Sequence, residues 1–344
     1  PRASGAVETW TLQFDPQIAS DTEIGGVPTY LDQVLVAPDG MDAAIPSLQA
    51  NIADGAFRNG RPLTFETTVR AAVSYANPAT GAESFERRKQ FDNRGLAAAG
   101  VYSRYGDWLF LAMRGNRTVE RVDALSGGAQ SGTILEVGLA PDGLALSEDD
   151  RFLLVNAFLS REVVVYDVSD FGTMPEPVAR LAAASAEPLP PQVLRGKQLF
   201  NDAADPRLGK DGYMACAHCH FDAVDDHRVW DFTDRGEGLR NTISLVGRAG
   251  AGDGPVHWSA NFDEIQDFEN DIRGPFQGLG LMTDAEFETG TRAHPLGDPK
   301  AGVSEDLDAL AAYLAFLGTE LRSPYRNPDG TLTAAAARGK AIFE

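Results

Sequence analysis

Two hydrophobic patterns divide the chain. Up to about residue 175 the apolar positions come in short runs and partial alternations, bounded by Gly, Asn, Asp and Pro. Residues 108–112 are an apolar run, Gly115-Asn116 reads as a turn, and residues 118–123 partly alternate. Both segments read as strands. The same order recurs at 151–156 and 161–167, and Asp123 and Asp167, which close the two copies, lie 44 residues apart. A strand pair repeating at that interval predicts one blade of a β-propeller, whose repeat is about 40–50 residues. The front half then holds about four blades, fewer than the commoner rings, so the ring is small or lacks blades at its front. A β-sandwich is the alternative.

Pro141-Asp142-Gly143 precedes the second copy, and Pro38-Asp39-Gly40 echoes it. Pro presets φ and Gly accepts a positive φ, so both phrases predict turns. With the strands around them they resemble bacterial surface propellers of the YVTN type over roughly 100 residues.

Proline clusters near 174–191 predict a stiff linker. Beyond it the apolar positions take helical spacing. Residues 193–200 read as an amphipathic helix in which Gly196 would let a second helix cross closely. Ser304 reads as an N-cap followed by Glu305 and Asp306. Leu307, Leu310, Leu314 and Leu317 then recur on one face, and Gly318 is a stop. The expected fold class is multidomain: all-β propeller blades over 1–182, an all-α cytochrome c domain over 183–325, and a third segment over 326–344.

Composition narrows the function. Fifty Asp and Glu against 30 Lys and Arg give a net charge of −20. Nucleic-acid binding needs clustered cations, so that class is excluded, as is docking on an anionic membrane surface. No run approaches the ~18–20 apolar residues of a membrane span. The start at Pro1-Arg2-Ala3, without Met, reads as a mature or trimmed product.

Both cysteines of the chain fall in Cys216-Ala217-His218-Cys219-His220. Cys-x-x-Cys-His is the attachment motif of a c-type haem. Two thiols one turn apart can each add to a vinyl group of one porphyrin, and the next residue, His220, is then held under the iron as proximal ligand. A zinc site would need four ligands, and no second Cys/His pair is present. A thioredoxin-like redox pair would want a preceding strand, and a structural disulfide would need no His. The expected cofactor is covalent haem c with its iron.

A helix, the haem motif and a Leu/Tyr helix, in that order, resemble a cytochrome c domain. Arg240-Asn241-Thr242-Ile243-Ser244-Leu245, His257-Trp258 and the acidic segment 263–273 resemble bacterial dihaem cytochrome c peroxidases and their MauG-like relatives. That resemblance implies that Arg240 pairs with a haem propionate and that Trp258 lies near an electron path. The chain departs from that family in two places. Residues 230–238 contain no distal His, and Leu281 stands where the family has a Glu before its loop Met. Peroxide heterolysis needs a positioned proton carrier, so both departures weigh against peroxidase chemistry at this haem.

Two residues compete for the iron face opposite His220. Met282 lies 62 residues past His220 in a Gly-rich loop, and His–Met ligation suits electron transfer. His257, in the loop after Gly254-Pro255, is the alternative. His227, among Asp225, Asp226 and Arg228, and His294, beside Pro295, read as solvent-facing loop residues, and His218 as pointing away from the ring.

Residues 337–344 echo 194–201 around a shared Arg-Gly-Lys, and the first copy leads into the haem motif. This predicts that 326–344 begins a second cytochrome c domain, cut before its own motif. The function expected is electron transfer to a redox partner protein in the periplasm or at the cell surface, where haem c is assembled. A dihaem oxidoreductase acting on peroxide or a protein substrate is the second reading, and a surface binding module the third.

Overall fold

The structure is a computed structural model and describes residues 8–125, 128–318 and 323–344, so the start at Pro1 lies outside it. Its front half is a succession of antiparallel sheets. The first holds β1 (Val27–Thr29), β2 (Leu35–Val36), β3 (Ala43–Ala50), β4 (Val69–Ala76) and β5 (Lys89–Phe91), with both β1 and β2 paired to β3. The second is the meander β6 (Ala97–Tyr102), β7 (Trp108–Met113), β8 (Thr118–Asp123) and β9 (Ala129–Ile134). The third repeats it as β10 (Pro141–Leu146), β11 (Phe152–Ala157), β12 (Glu162–Asp167) and β13 (Pro177–Ala182). The first three strands of the two meanders are offset by the same 44 residues that the sequence shows. The arrangement is compatible with a β-propeller-like unit.

Strand alternation packs the sheets. Leu109, Leu111 and Met113 of β7 face the first sheet and join Ala44, Val73, Tyr75 and Phe91. Phe110 points the other way, onto Leu153, Val155, Val164 and Tyr166 of the third. The central sheet is thus buried on both faces, which is why β7 reads as a continuous apolar run.

The two Pro-Asp-Gly phrases diverge. Pro38 to Gly40 is the expected turn, with Gly40 at φ 71°. Pro141 instead opens β10, the chain bends before it at Ala140 (φ 50°), and a bulge follows. The expected linker also contains a strand. β13 starts at Pro177, where the missing N–H costs least because the strand is an exposed edge.

The expectation of an all-α cytochrome c domain is overturned. After α1 (Pro191–Phe200) the chain makes short single turns and then a hairpin of β14 (Val229–Phe232) and β15 (Gly238–Asn241). Only α2 (Glu269–Arg273), α3 (Asp284–Phe287) and α4 (Glu305–Phe316) follow before residue 318. Trp230 and Phe232 are aromatic strand formers. Left-handed φ at Asp211, Asp222 and His227 breaks helical propagation between α1 and the hairpin.

The two expected long helices are present and cross closely. A Cβ on Gly196 would lie 1.9 Å from the Ala309 carbonyl oxygen, so only glycine permits this approach of α1 to α4. Ser304 caps α4 by accepting from the Leu307 amide, as its sequence predicts. Further on, α5 (Ala334–Phe343) repeats the Arg-Gly-Lys phrase, but nothing lies within 4 Å of a Cβ on Gly339. Among the described residues no helix is long and apolar enough to cross a membrane.

Candidate functional site

The Cys-x-x-Cys-His segment sits where two cores meet. Cys216 packs against the helical core of Phe200, Leu281, Met282, Leu310 and Tyr313. Cys219 packs against a second core that joins Leu48, Val69 and Leu96 of the sheet unit to Tyr213, Met214, Trp230 and Phe232. The segment is a tight turn, with the Cys219 and His220 amides both donating to the Cys216 carbonyl at 3.3 and 3.0 Å. That turn puts both thiols and the imidazole on one short stretch of backbone.

The imidazole of His220 has a fixed tautomer. Its Nδ1 lies 2.9 Å from the Ile243 carbonyl oxygen, which can only accept, so Nδ1 carries the proton and Nε2 keeps its lone pair. Burial pushes its pKa down to about 4, so the ring is neutral at physiological pH. A neutral imidazole oriented through its other nitrogen is what a metal-ligating His requires. The two thiols are free. Burial raises Cys216 to about 11 and raises Cys219 as well. Both therefore stay protonated, unlike the low-pKa thiolate of a redox pair.

His218 packs into the sheet unit. It is 1% exposed and inserts into the sheet unit between Gly95 and Gly115. A Cβ on either glycine would fall within 3 Å of the ring. His218 Nδ1 lies 2.9 Å from Tyr213 O and 3.2 Å from the Ala215 amide. The Tyr30 hydroxyl donates to Cys219 O at 2.9 Å, and its ring stacks on Phe221 at 4.6 Å. Arg114 covers the same Phe221 ring and pairs with Asp222 at 3.2 Å. The sheet unit thus grips the motif from both ends. These contacts join residues far apart in sequence, and no local pattern announces them.

The two candidate ligands differ in surroundings. Met282 is buried in the same apolar cluster as Cys216 and Phe200, and the Phe200 ring lies 6.5 Å from that of His220. His257 is hydrogen-bonded at one nitrogen: Nδ1 lies 2.9 Å from Asn261 Oδ1, while Nε2 is 3.7 Å from Asp271 Oδ2, beyond hydrogen-bond range. Its ring stacks on Phe262 at 4.9 Å. Of the other histidines, His227 is exposed and pairs with Asp225 at 2.7 Å.

Trp258 donates its indole N–H to Asn241 O at 2.8 Å and packs on Phe232 at 5.3 Å. Arg240, on β15, is partly exposed, with its Nε 4.0 Å from Glu237. Arg235, which the sequence does not single out, covers the Phe232 ring. Its pKa is pushed down by burial and drawn up by Asp234, Asp271 and Cys219.

The donor set fits a covalent haem: two protonated thiols, a neutral imidazole with its outer nitrogen tied, and an apolar cluster beside them. A cavity of about 230 Å³ just past the motif is lined by Phe200, Ala223, Tyr313 and Leu317 together with the polar Lys197, Asn201 and Asp222, and is smaller than the about 300–1,000 Å³ usual for a cofactor pocket. Among the described residues no group of three or more His, Cys, Asp and Glu side chains is arranged to hold a metal ion on its own.

No protein-family model matches the chain, and no curated protein matches it. Among solved structures it is similar to Kuenenia stuttgartiensis hydrazine synthase at 16% identity, over 42% of this chain and 47% of that one, with a TM-score of 0.34. A functionally unknown protein from Desulfotomaculum acetoxidans matches at 10% identity, over 46% and 43%, with a TM-score of 0.33. A protein from Lactobacillus plantarum matches at 16% identity, over 43% and 40%, with a TM-score of 0.31. The chain spans less than half the length of each of these structures.

Proposed function

We propose that this protein carries one covalent haem c on Cys216 and Cys219, with His220 as proximal ligand, and that it transfers electrons to a redox partner protein. The observation that carries the reading is the bond from His220 Nδ1–H to Ile243 O, on the same turn as two unpaired thiols. When bound, haem iron supplies a one-electron couple. The chain's own part is to hold the ring, keep water from it and fix its ligands. Met282 is favoured over His257 as sixth ligand, because it belongs to the apolar cluster on which Cys216 packs, whereas His257 stacks on Phe262 outside that cluster. Haem c is assembled outside the cytoplasmic membrane, so a periplasmic or surface location follows from the cofactor.

A peroxidase-like role finds less support. The stretch 230–238, where that family places a distal His, is a hairpin without one. The carboxylate nearest Met282, Glu269, is fully buried and accepts three N–H donors, so it is not free to carry a proton to a substrate.

Co-expression with the haem c assembly proteins tests the reading. Intact mass is expected to show one added haem, lost in the Cys216→Ser/Cys219→Ser variant. An unmodified mass for the unaltered chain, with a clean fold, overturns it.

A further inference from the structure

The loop that presents Met282 is tied down residue by residue. Five consecutive amides, from Gly278 to Met282, all donate to partners outside the loop. Gly278, Leu279 and Gly280 donate to the carbonyls of Ile272, Pro206 and Arg207 at 2.8, 3.0 and 2.9 Å. The next two go to a side chain: Leu281 N–H and Met282 N–H donate to the two oxygens of Glu269 at 2.9 and 3.1 Å.

Glu269 has no exposed side-chain surface, so its charge is held away from water. Its third donor is Arg273 Nε at 2.8 Å, and the same guanidinium donates to Met282 O at 2.6 Å. The peptide units on both sides of Met282 are therefore clamped by one buried ion pair. Gly280 makes room for it: its φ is +90°, and a Cβ there would lie 2.3 Å from Arg273 Nε. Ser304 Oγ, at the cap of α4, donates to Leu281 O at 2.9 Å.

A core methionine does not need this arrangement. Met fills gaps by flexing, and burying a carboxylate costs several kcal/mol unless its geometry is excellent. A fixed backbone is useful where the thioether must meet a metal at one position. We infer that Glu269 and Arg273 are positioning residues that hold Met282 on the haem iron. This inference rests on the reading of Met282 as sixth ligand.

The test uses the full haem-loaded chain. Met-ligated ferric haem c has a weak far-red charge-transfer band, and added imidazole competes with the Met. Glu269→Gln keeps the shape but leaves one oxygen for the two amides. It is expected to weaken the band and to lower the imidazole half-saturation concentration about tenfold, the factor for one lost charged hydrogen bond. Asp284→Asn, which removes the exposed partner of Arg273, is expected to change neither.

If the unaltered protein lacks the band, the ligand reading falls and takes the inference with it. If the band is present, and Glu269→Gln leaves both the band and the imidazole titration as they were, the inference alone falls. Amide exchange on the unaltered protein guards against a variant that does not fold. The amides of 278–282 are expected to be protected together, and exchange as fast as in an exposed loop also overturns the inference.

Discussion

Gly115 has no room for a side chain because His218 occupies it: a Cβ there would lie 2.6 Å from His218 Nε2. Gly95 abuts the same ring: a Cβ there would lie 1.9 Å from its Cε1. The middle residue of Cys216-Ala217-His218-Cys219-His220 is thus a plug in the sheet unit.

Gly115→Ala is expected to destabilise the chain by about 1–3 kcal/mol, the usual cost of overpacking. In a His218→Ala background the same change should cost little. Urea unfolding of the two single variants and the double variant measures the coupling. Additive costs would mean that the plug and the slot do not interact.

Lys300 and Asp267 form an ion pair at 2.5 Å, with 0% and 1% of their side chains exposed. The pair joins the turn before α2 to the segment before α4. Lys300→Met strands a buried carboxylate and is expected to cost about 3–5 kcal/mol. Adding Asp267→Leu should recover a substantial part of it. The recovery is incomplete because Asp267 Oδ2 also accepts from the Asp263 amide at 3.0 Å. Denaturant midpoints of the two variants decide the point.

What could be read in advance follows from the range of each interaction. The 44-residue offset was legible because strand alternation is local, α1 because its apolar period is, and α4 because cap, period and stop lie within one segment. Cys216, Cys219 and His220 could be singled out because the Cys-x-x-Cys-His spacing lies within five residues. The hairpin 229–241 was not, because its four-residue strands are interrupted by Asp231 and Arg240 and resemble a polar loop. Asp231 itself is buried, where it accepts from the amides of Phe57 and Arg58 at 2.9 and 2.8 Å, and such a partner is invisible locally. The clamp of Glu269 on Met282 and the slot for His218 depend on chain folding and have no signal in the residues around them.

Asp306 gives the helix pair an acid limit. It accepts from Arg195 Nε and Nη2 at 2.7 and 2.6 Å, which locks α1 to α4, and Arg207 approaches at 2.9 Å. The hydrogen bonds from Arg195 hold its folded pKa below the ordinary carboxylate value. The stabilisation is therefore fully present above the unfolded pKa of about 3.9, and is lost as pH falls through the lower folded value. Asp306→Asn is expected to cost about 1 kcal/mol at pH 7, because the pair is partly exposed. It should also flatten the fall in stability below pH ~4. Unfolding curves at pH 7, 4 and 3 check both, and an unchanged acid slope would remove Asp306 from the account.

The Arg-Gly-Lys phrase occurs on two helices with opposite consequences for one substitution. In α1, Gly196 lies under α4, and a new methyl group would meet the Ala309 carbonyl oxygen at 1.9 Å and Tyr313 Cβ at 2.8 Å. The first obstacle is backbone, so the helices must separate. Gly196→Ala is expected to cost about 1–3 kcal/mol in global stability. In α5, Gly339 has open space around its Cβ direction. There the intrinsic preference decides, and Gly339→Ala should favour the helix by about 0.5–1 kcal/mol. Amide exchange in 334–343 reads the second effect, because a gain local to one helix need not appear in global unfolding. Slower exchange in α5 with Gly339→Ala, beside a lower denaturant midpoint with Gly196→Ala, is the expected pair of results. Equal tolerance at both positions would show that α1 and α4 do not approach as closely as Gly196 allows.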